Sequence, residues 1–228
     1  MKSEVFSNLT LVFDLDGTLV DTAPDLIRAL NETLAIAGCP PMAHEQALPF
    51  ISFGGRRMIV EGLKAGGMAH DDARLEPLLA HFLDYYAGNI AVESRPYMGA
   101  TELLRAAAQA GAKLGVCTNK REKLANLLLS ELALDAHFGA ILGFDSLEVH
   151  KPDPRHLTET IVRAGGTSGK AIMVGDSATD VATARAAGIP VIAVSFGYSD
   201  VPAHALGADA VIDHYRDLPA AAEALLSR

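Results

Sequence analysis

Five short apolar runs, each ending in a polar turn and followed by a helical pattern, restrict this chain to very few architectures. They are Leu9 to Phe13, Leu114 to Cys117, Ala140 to Leu142, Ala171 to Val174 and Val191 to Val194. Runs this short, apolar on both faces and separated by helices, are expected to be strands of a parallel sheet covered on both sides. Ala210-Val211-Ile212 adds a short edge strand. Half of the 228 residues are apolar, which supplies a core large enough for such a sheet and its helical layers. The expected fold class is α/β, with a Rossmann-like parallel sheet.

The intervening helices have readable ends. Thr22-Ala23-Pro24-Asp25 reads as a capping-box-like start with proline in the first turn, after which Leu26, Leu30 and Leu34 recur every four residues until Gly38. Thr101 to Ala110 stops at Gly111 and Ala178 to Ala187 at Gly188, positions where a left-handed residue closes a helix. The stretch between the first and second strands is far longer than an ordinary βα crossover and reads as helices without a strand. An all-helical cap domain inserted over residues 21–94 accounts for it, leaving residues 1–20 and 95–228 for the Rossmann-like core.

Charge and cysteine content narrow the partners. Nineteen Lys and Arg against 28 Asp and Glu leave a net charge of −9, which argues against broad attraction to nucleic acid or anionic lipid. The apolar run Leu11-Val12-Phe13 stops at Asp14, too short for a signal peptide, and no segment approaches the roughly 18 apolar residues that span a bilayer. Cys39 and Cys117 lie far apart and read as buried free thiols in a reducing cytoplasm. His44, His70, His81 and His150 show no paired ligand spacing, so zinc is not expected. Neither a nucleic-acid nor a membrane partner is expected.

In an open parallel sheet the ligand crevice lies beyond the carboxyl ends of the strands. Four of the five strands end there in polar residues. The first leads into Asp14-Leu15-Asp16-Gly17-Thr18, the second into Thr118-Asn119, the third towards His150-Lys151-Pro152-Asp153-Pro154, and the fourth into Asp176-Ser177-Ala178-Thr179-Asp180. Taken singly, each is ordinary turn or surface chemistry. Together they form a phosphoryl-transfer site. Three acids suit a hard ion such as Mg²⁺, which would screen an anionic nucleophile from an anionic phosphate, and Asp14 and Asp176 are the side-chain ligands expected.

This set, in this order and with a helical stretch inserted after the first strand, resembles the haloacid dehalogenase superfamily over nearly the whole chain, and within it the phosphoglycolate phosphatase-like members. The resemblance implies a phosphatase that hydrolyses a small phosphate monoester, 2-phosphoglycolate first among them, through a phospho-aspartyl intermediate; the expected partner is thus a small phosphorylated metabolite, and the expected assembly a monomer or homodimer. Asp14 would be the nucleophile and Asp16 the general acid and base, a role that demands a carboxyl able to hold a proton at neutral pH. The backbone carbonyl of Asp16 would complete the metal ligands. Lys151 would supply charge to the transferring phosphoryl oxygens, Thr118 and the amides after Asn119 would donate hydrogen bonds to them, and Asp180 would orient Lys151 or metal-bound water. In the cap, Gly54 and Gly55 would permit close approach and Arg56 would grip a substrate carboxylate, although Phe53-Gly54-Gly55-Arg56-Arg57 reads equally as a helix-start loop with solvated arginines.

A dehalogenase needs no second acid, so Asp16 argues against that branch, and Arg56 and Arg57 stand where a phosphonoacetaldehyde hydrolase-like enzyme would want a Schiff-base lysine. A β-phosphoglucomutase-like phosphomutase would share every core residue and differ in its product. A catalytically idle binding module on the same scaffold would have lost Asp14, Asp16, Lys151 or Asp176, and all four are present.

Overall fold

The computed structural model describes residues 3–69 and 71–227; Met1, Lys2, His70 and Arg228 lie outside the described residues. The chain enters through β1 (Thr10–Phe13) and β2 (Val20–Asp21), then runs through α1 (Ala23–Ile36), α2 (His44–Ala47), α3 (Gly55–Ala65) and α4 (Asp72–Gly88). It returns through β3 (Arg95–Pro96) and α5 (Ala100–Gln109), and then alternates strand and helix. These are β4 (Lys113–Cys117), α6 (Glu122–Glu131), β5 (Ala140–Leu142), α7 (Pro154–Arg163), β6 (Ala171–Gly175), α8 (Ala178–Ala186) and β7 (Val191–Val194). The edge strand β8 (Ala210–Ile212) and α9 (Leu218–Leu226) close the chain.

Six strands form one parallel sheet in the order β5-β4-β1-β6-β7-β8. Alternation along the strands feeds two cores. Leu11, Phe13, Leu114, Val116, Ile172 and Val174 join the larger cluster on one face, while Val12, Met173 and Val191 face Leu157 and Ile161 of α7 and Val181 and Ala184 of α8 on the other. The register sets up the site. Phe13 is level with Val116 on one side and Val174 on the other, so Asp14, Thr118 and Asp176 leave the sheet along one edge. The Asp14 amide donates to the Val174 carbonyl at 2.9 Å and holds this alignment one residue further.

The stretch expected to lack strands carries β2 and β3 at its two ends, paired antiparallel with Val20 opposite Pro96 and Asp21 opposite Arg95. The two crossings thus satisfy each other's backbone groups, which a pattern search misses in strands two residues long. Between them, α1, α3 and α4 pack on one another, and the expected stripe Leu26, Leu30 and Leu34 is buried among them. Gly38, Gly111 and Gly188 adopt positive φ as helix-closing residues.

The start of α1 differs from expectation. The Thr22 hydroxyl makes no cap hydrogen bond; the amides of Thr22 and Ala23 instead donate to the Tyr198 hydroxyl at 2.6 and 2.9 Å. Asp25 is buried and accepts from the Ser94 amide and hydroxyl at 2.8 and 2.7 Å and from the Glu93 amide at 3.0 Å, which ties the first turn of α1 to the return crossing. A distant phenol and the second crossing have taken over the work of a local cap.

Since β1 is paired on both sides and Leu11 is fully buried, Leu11→Ala should lower the unfolding free energy by about 3 kcal/mol with an unchanged denaturant slope. A loss under about 1 kcal/mol in urea unfolding would contradict a central position for this strand.

Candidate active site

The turn after β1 is wound tightly on itself. The amides of Thr18, Leu19 and Val20 all donate to the Leu15 carbonyl, at 3.3, 3.0 and 3.1 Å, and the Gly17 amide donates to the Val20 carbonyl at 3.0 Å. Gly17 has φ +81°, and a Cβ there would lie 2.6 Å from Asp176 Oδ2, so only glycine lets the turn press against that carboxylate. The Thr18 hydroxyl then donates to Asp176 Oδ1 at 2.9 Å, and the Tyr198 amide donates to Oδ2 at 2.8 Å. Asp176 is thereby oriented by the turn on one side and by the loop after β7 on the other.

Asp14, Asp176 and Asp180 place carboxylate oxygens within 4.8 Å of one another, all buried. Lys151 Nζ lies 2.9 Å from Asp14 Oδ1 and donates to Asp180 Oδ1 at 2.6 Å. The other Asp180 oxygen accepts from the amides of Asp176 and Ser177 at 3.2 and 3.1 Å and from the Ser177 hydroxyl at 2.6 Å. Asp180 is therefore fully engaged by protein donors, whereas Asp14 and Asp176 keep lone pairs for a metal ion. One ammonium cannot balance three acids. Burial pushes the Asp14 carboxyl up to about 6 against the pull of Lys151, and burial together with the charges of Asp180 and Asp14 pushes Asp176 up to about 8. Burial works against the Lys151 ammonium, but Asp14 and Asp180 together hold it above the ordinary lysine value.

Asp16 is held by a second buried cation. Lys120 Nζ donates to Asp16 Oδ1 at 2.8 Å and Oδ2 at 3.1 Å. The same ammonium sits 4.6 Å from the centre of the Tyr86 ring on α4. Burial opposes the charge on Lys120, and Asp16 and then Tyr86 outweigh it, so the ammonium is held. Lys120 and Tyr198 are among the residues that sequence reasoning does not single out. Lys120 directly follows the Thr118-Asn119 pair, and Tyr198 sits just beyond the one strand end, that of β7, where no polar cluster was sought.

Thr118 is buried, and its hydroxyl oxygen accepts from the Lys120 amide at 3.2 Å. The Asn119 amide group donates to the Lys151 carbonyl at 3.1 Å and so helps fix the Lys151 loop, while its Oδ1 is buried without a hydrogen-bond partner. A cavity of about 250 Å³ joins these residues to the inserted helices. Asp14, Asp16, Thr118, Asn119, Lys120 and Lys151 line one side of it, and Ile51, Gly54, Gly55, Arg56, Phe82 and Tyr86 line the other. Two residues there behave differently from expectation. A Cβ on Gly55 would meet the Phe82 ring at 2.6 Å, so this glycine serves the packing of α3 on α4. Arg56 is turned to Asp72 at 3.2 Å and to Glu76, an exposed pairing that satisfies its guanidinium without a ligand.

An open parallel α/β sheet with buried acids and a lysine at its carboxyl edge defines the class as a Rossmann-like scaffold whose polar cluster lies where such sheets bind ligands. The chain belongs to the haloacid dehalogenase-like hydrolase family, whose profile matches residues 11–194. It is 48% identical to a phosphoglycolate phosphatase of Mesorhizobium japonicum over 90% of each chain. It is 37% identical to an N-acetylmuramic acid 6-phosphate phosphatase of Pseudomonas aeruginosa over 91% of this chain and 92% of that one. Among solved structures, a predicted phosphoglycolate phosphatase from Haemophilus somnus superposes with a TM-score of 0.87 at 28% identity, covering 93% of this chain and 96% of the other.

Removing Lys151 would leave Asp14 and Asp180 buried without their cation. Lys151→Met should therefore lower the unfolding free energy of the metal-free protein by about 3 kcal/mol, and Lys151→Met combined with Asp180→Asn should lose less than the sum of the two single changes. Chemical unfolding of the wild type and the three variants measures the coupling, and strict additivity would deny that these charges depend on one another.

Proposed function

We propose that the protein is a magnesium-dependent phosphatase acting on a small phosphate monoester, with 2-phosphoglycolate as the first candidate. The observation that carries this reading is the set Asp14, Asp176, Asp180 and Lys151 buried at the carboxyl edge of the sheet. We further propose that residues 1–20 and 95–228 form the catalytic core and residues 21–94 a helical cap, with the paired crossings Val20–Asp21 and Arg95–Pro96 between them. Two buried free thiols support a reducing, cytoplasmic location, and no described helix is long and apolar enough to cross a membrane.

The donor set fits magnesium. Asp14 and Asp176 offer hard oxygens, and an acid kept protonated by its buried neighbours ionises when a divalent cation takes the place of the proton. The Asp16 carbonyl would complete the protein ligands. Bound there, the cation supplies charge compensation that lets an anionic phosphate approach an anionic nucleophile.

In the first step an oxygen of Asp14 forms a bond to phosphorus as the ester P–O bond breaks, and Asp16 delivers a proton to the departing alkoxide. Asp16 faces Lys120 in this structure, so this step requires its carboxyl to leave that ammonium for the leaving oxygen. In the second step Asp16 takes a proton from water, the water oxygen attacks phosphorus, and the bond to Asp14 breaks to release phosphate. Lys151 stabilises charge on the phosphoryl oxygens throughout, held in place by Asp180. The Thr118 hydroxyl would donate to the same oxygens, whereas two amides expected to join it are already used: that of Lys120 donates to Thr118 Oγ1 and that of Glu122, which opens α6, to Asp145 Oδ1.

The two relatives described above are named for phosphoglycolate and for N-acetylmuramic acid 6-phosphate, both phosphate esters of carboxylic acids. This supports a carboxylated substrate. Phosphate release from a panel of esters should require both Mg²⁺ and intact Asp14, with 2-phosphoglycolate among the best substrates. Asp14→Asn should keep the wild-type circular dichroism and lose turnover by about a thousandfold or more. Conversion of sugar phosphates into isomers without phosphate release would replace hydrolysis by mutase chemistry.

A further inference from the structure

The cavity is lined by four cationic side chains, Arg56, Lys120, Arg121 and Lys151. Three of them are committed to acids of the protein itself. Lys151 lies between Asp14 and Asp180, Lys120 holds both oxygens of Asp16, and Arg56 is paired with Asp72 and Glu76. Arg121 is different. Its guanidinium has no ion pair and no hydrogen bond to any described residue.

The root of that side chain is nevertheless fixed. The Phe144 amide donates to the Lys120 carbonyl at 2.9 Å, the Glu122 amide donates to Asp145 Oδ1 at 2.8 Å, and the Ala125 amide donates to the Arg121 carbonyl at 2.9 Å as α6 begins. Arg121 thus projects from a pinned backbone, immediately after the Thr118-Asn119-Lys120 segment that forms one wall of the catalytic cavity. The inserted helices line the cavity with Ile51, Met58 and Phe82, and their one cation there, Arg56, is already paired with Asp72 and Glu76. A carboxylate carried by the substrate beyond its phosphoryl group needs a cation, and a guanidinium with two parallel donors matches it. A cavity of about 250 Å³ restricts the ester to a small one.

We infer that Arg121, and not Arg56, is the specificity-determining residue: it grips the carboxylate of phosphate esters of small hydroxy acids while the Lys151 end of the cavity receives the phosphoryl group. The inference rests on the phosphatase reading above and names its substrate class. Arg121 is exposed, so its pull is screened by salt and reads out chiefly as selectivity.

The test compares kcat and KM for 2-phosphoglycolate with those for 4-nitrophenyl phosphate, which bears no second anion, in wild type, Arg121→Ala, Arg121→Lys and Arg56→Ala. For Arg121→Ala the ratio of kcat/KM for the two esters should shift against 2-phosphoglycolate by about tenfold, through KM, with partial recovery in Arg121→Lys and a weaker shift at high salt. Arg56→Ala should leave the ratio where it is. Equal losses for both esters in Arg121→Ala, or a shift in ratio produced by Arg56→Ala instead, would overturn the assignment. A wild type that cleaves 4-nitrophenyl phosphate but not the carboxylated ester overturns it and leaves the phosphatase standing, whereas cleavage of neither ester removes both.

Discussion

Everything at the carboxyl edge of the sheet follows from the burial of one ammonium among three carboxylates. Lys151 cannot neutralise Asp14, Asp176 and Asp180 together, so the protein recruits neutral donors to hold the surplus. Thr18 and the Tyr198 amide take Asp176, and the amides of Asp176 and Ser177 with the Ser177 hydroxyl take Asp180. Each of these donors has its position dictated by the backbone. Thr18 depends on the turn that Gly17 allows, and Ser177 is the N-cap of α8. A cluster of this kind costs stability by itself and is intelligible as a site kept ready for a cation and an anionic ligand.

The inserted helices are wired to this cluster rather than merely laid over it. Tyr198 places its amide on Asp176 and donates its hydroxyl to Asp21 at 2.6 Å, while that same oxygen accepts from the first amides of α1. The residue that orients a buried acid therefore also holds the crossing into the insertion. Lys120 makes the second link, with its ammonium on Asp16 and Tyr86 of α4 beneath it. Asp25 makes a third, from α1 to the return crossing at Ser94. The cavity between the sheet edge and the inserted helices is therefore lined by residues that both position.

Much of the fold was legible because its strands are buried on both faces and short, so that each apolar run ended in its own polar turn. Ala140–Leu142, Val191–Val194 and the edge strand Ala210–Ile212 stand where the sequence pattern puts them. The residues brought to one edge were legible for the same reason, since parallel strands must release their following residues on one side. What stayed hidden was long-range. Nothing local to Thr22 announces that a phenol 176 residues away will bind its amide, and nothing in Arg56 announces that Asp72 and Glu76 will claim it. The pairing of Val20–Asp21 with Arg95–Pro96 is too short to leave a periodic trace. Lys120 was within reach, one residue past a strand-end motif, but its partner is fixed by the register of β1 against β4 and not by sequence spacing.

The central claim is that the phosphoryl group passes through a covalent bond to Asp14. Rapid acid quenching of the enzyme turning over 2-phosphoglycolate with Mg²⁺, followed by intact mass and peptide mapping, tests it directly. The account predicts a single phosphoryl group on the peptide containing Asp14, labile to hydroxylamine as an acyl phosphate is, and absent from Asp14→Asn. A phosphoryl group on any other residue, or rapid phosphate release with no trapped phosphoenzyme and with solvent oxygen never entering the Asp14 carboxyl under single turnover, would contradict it.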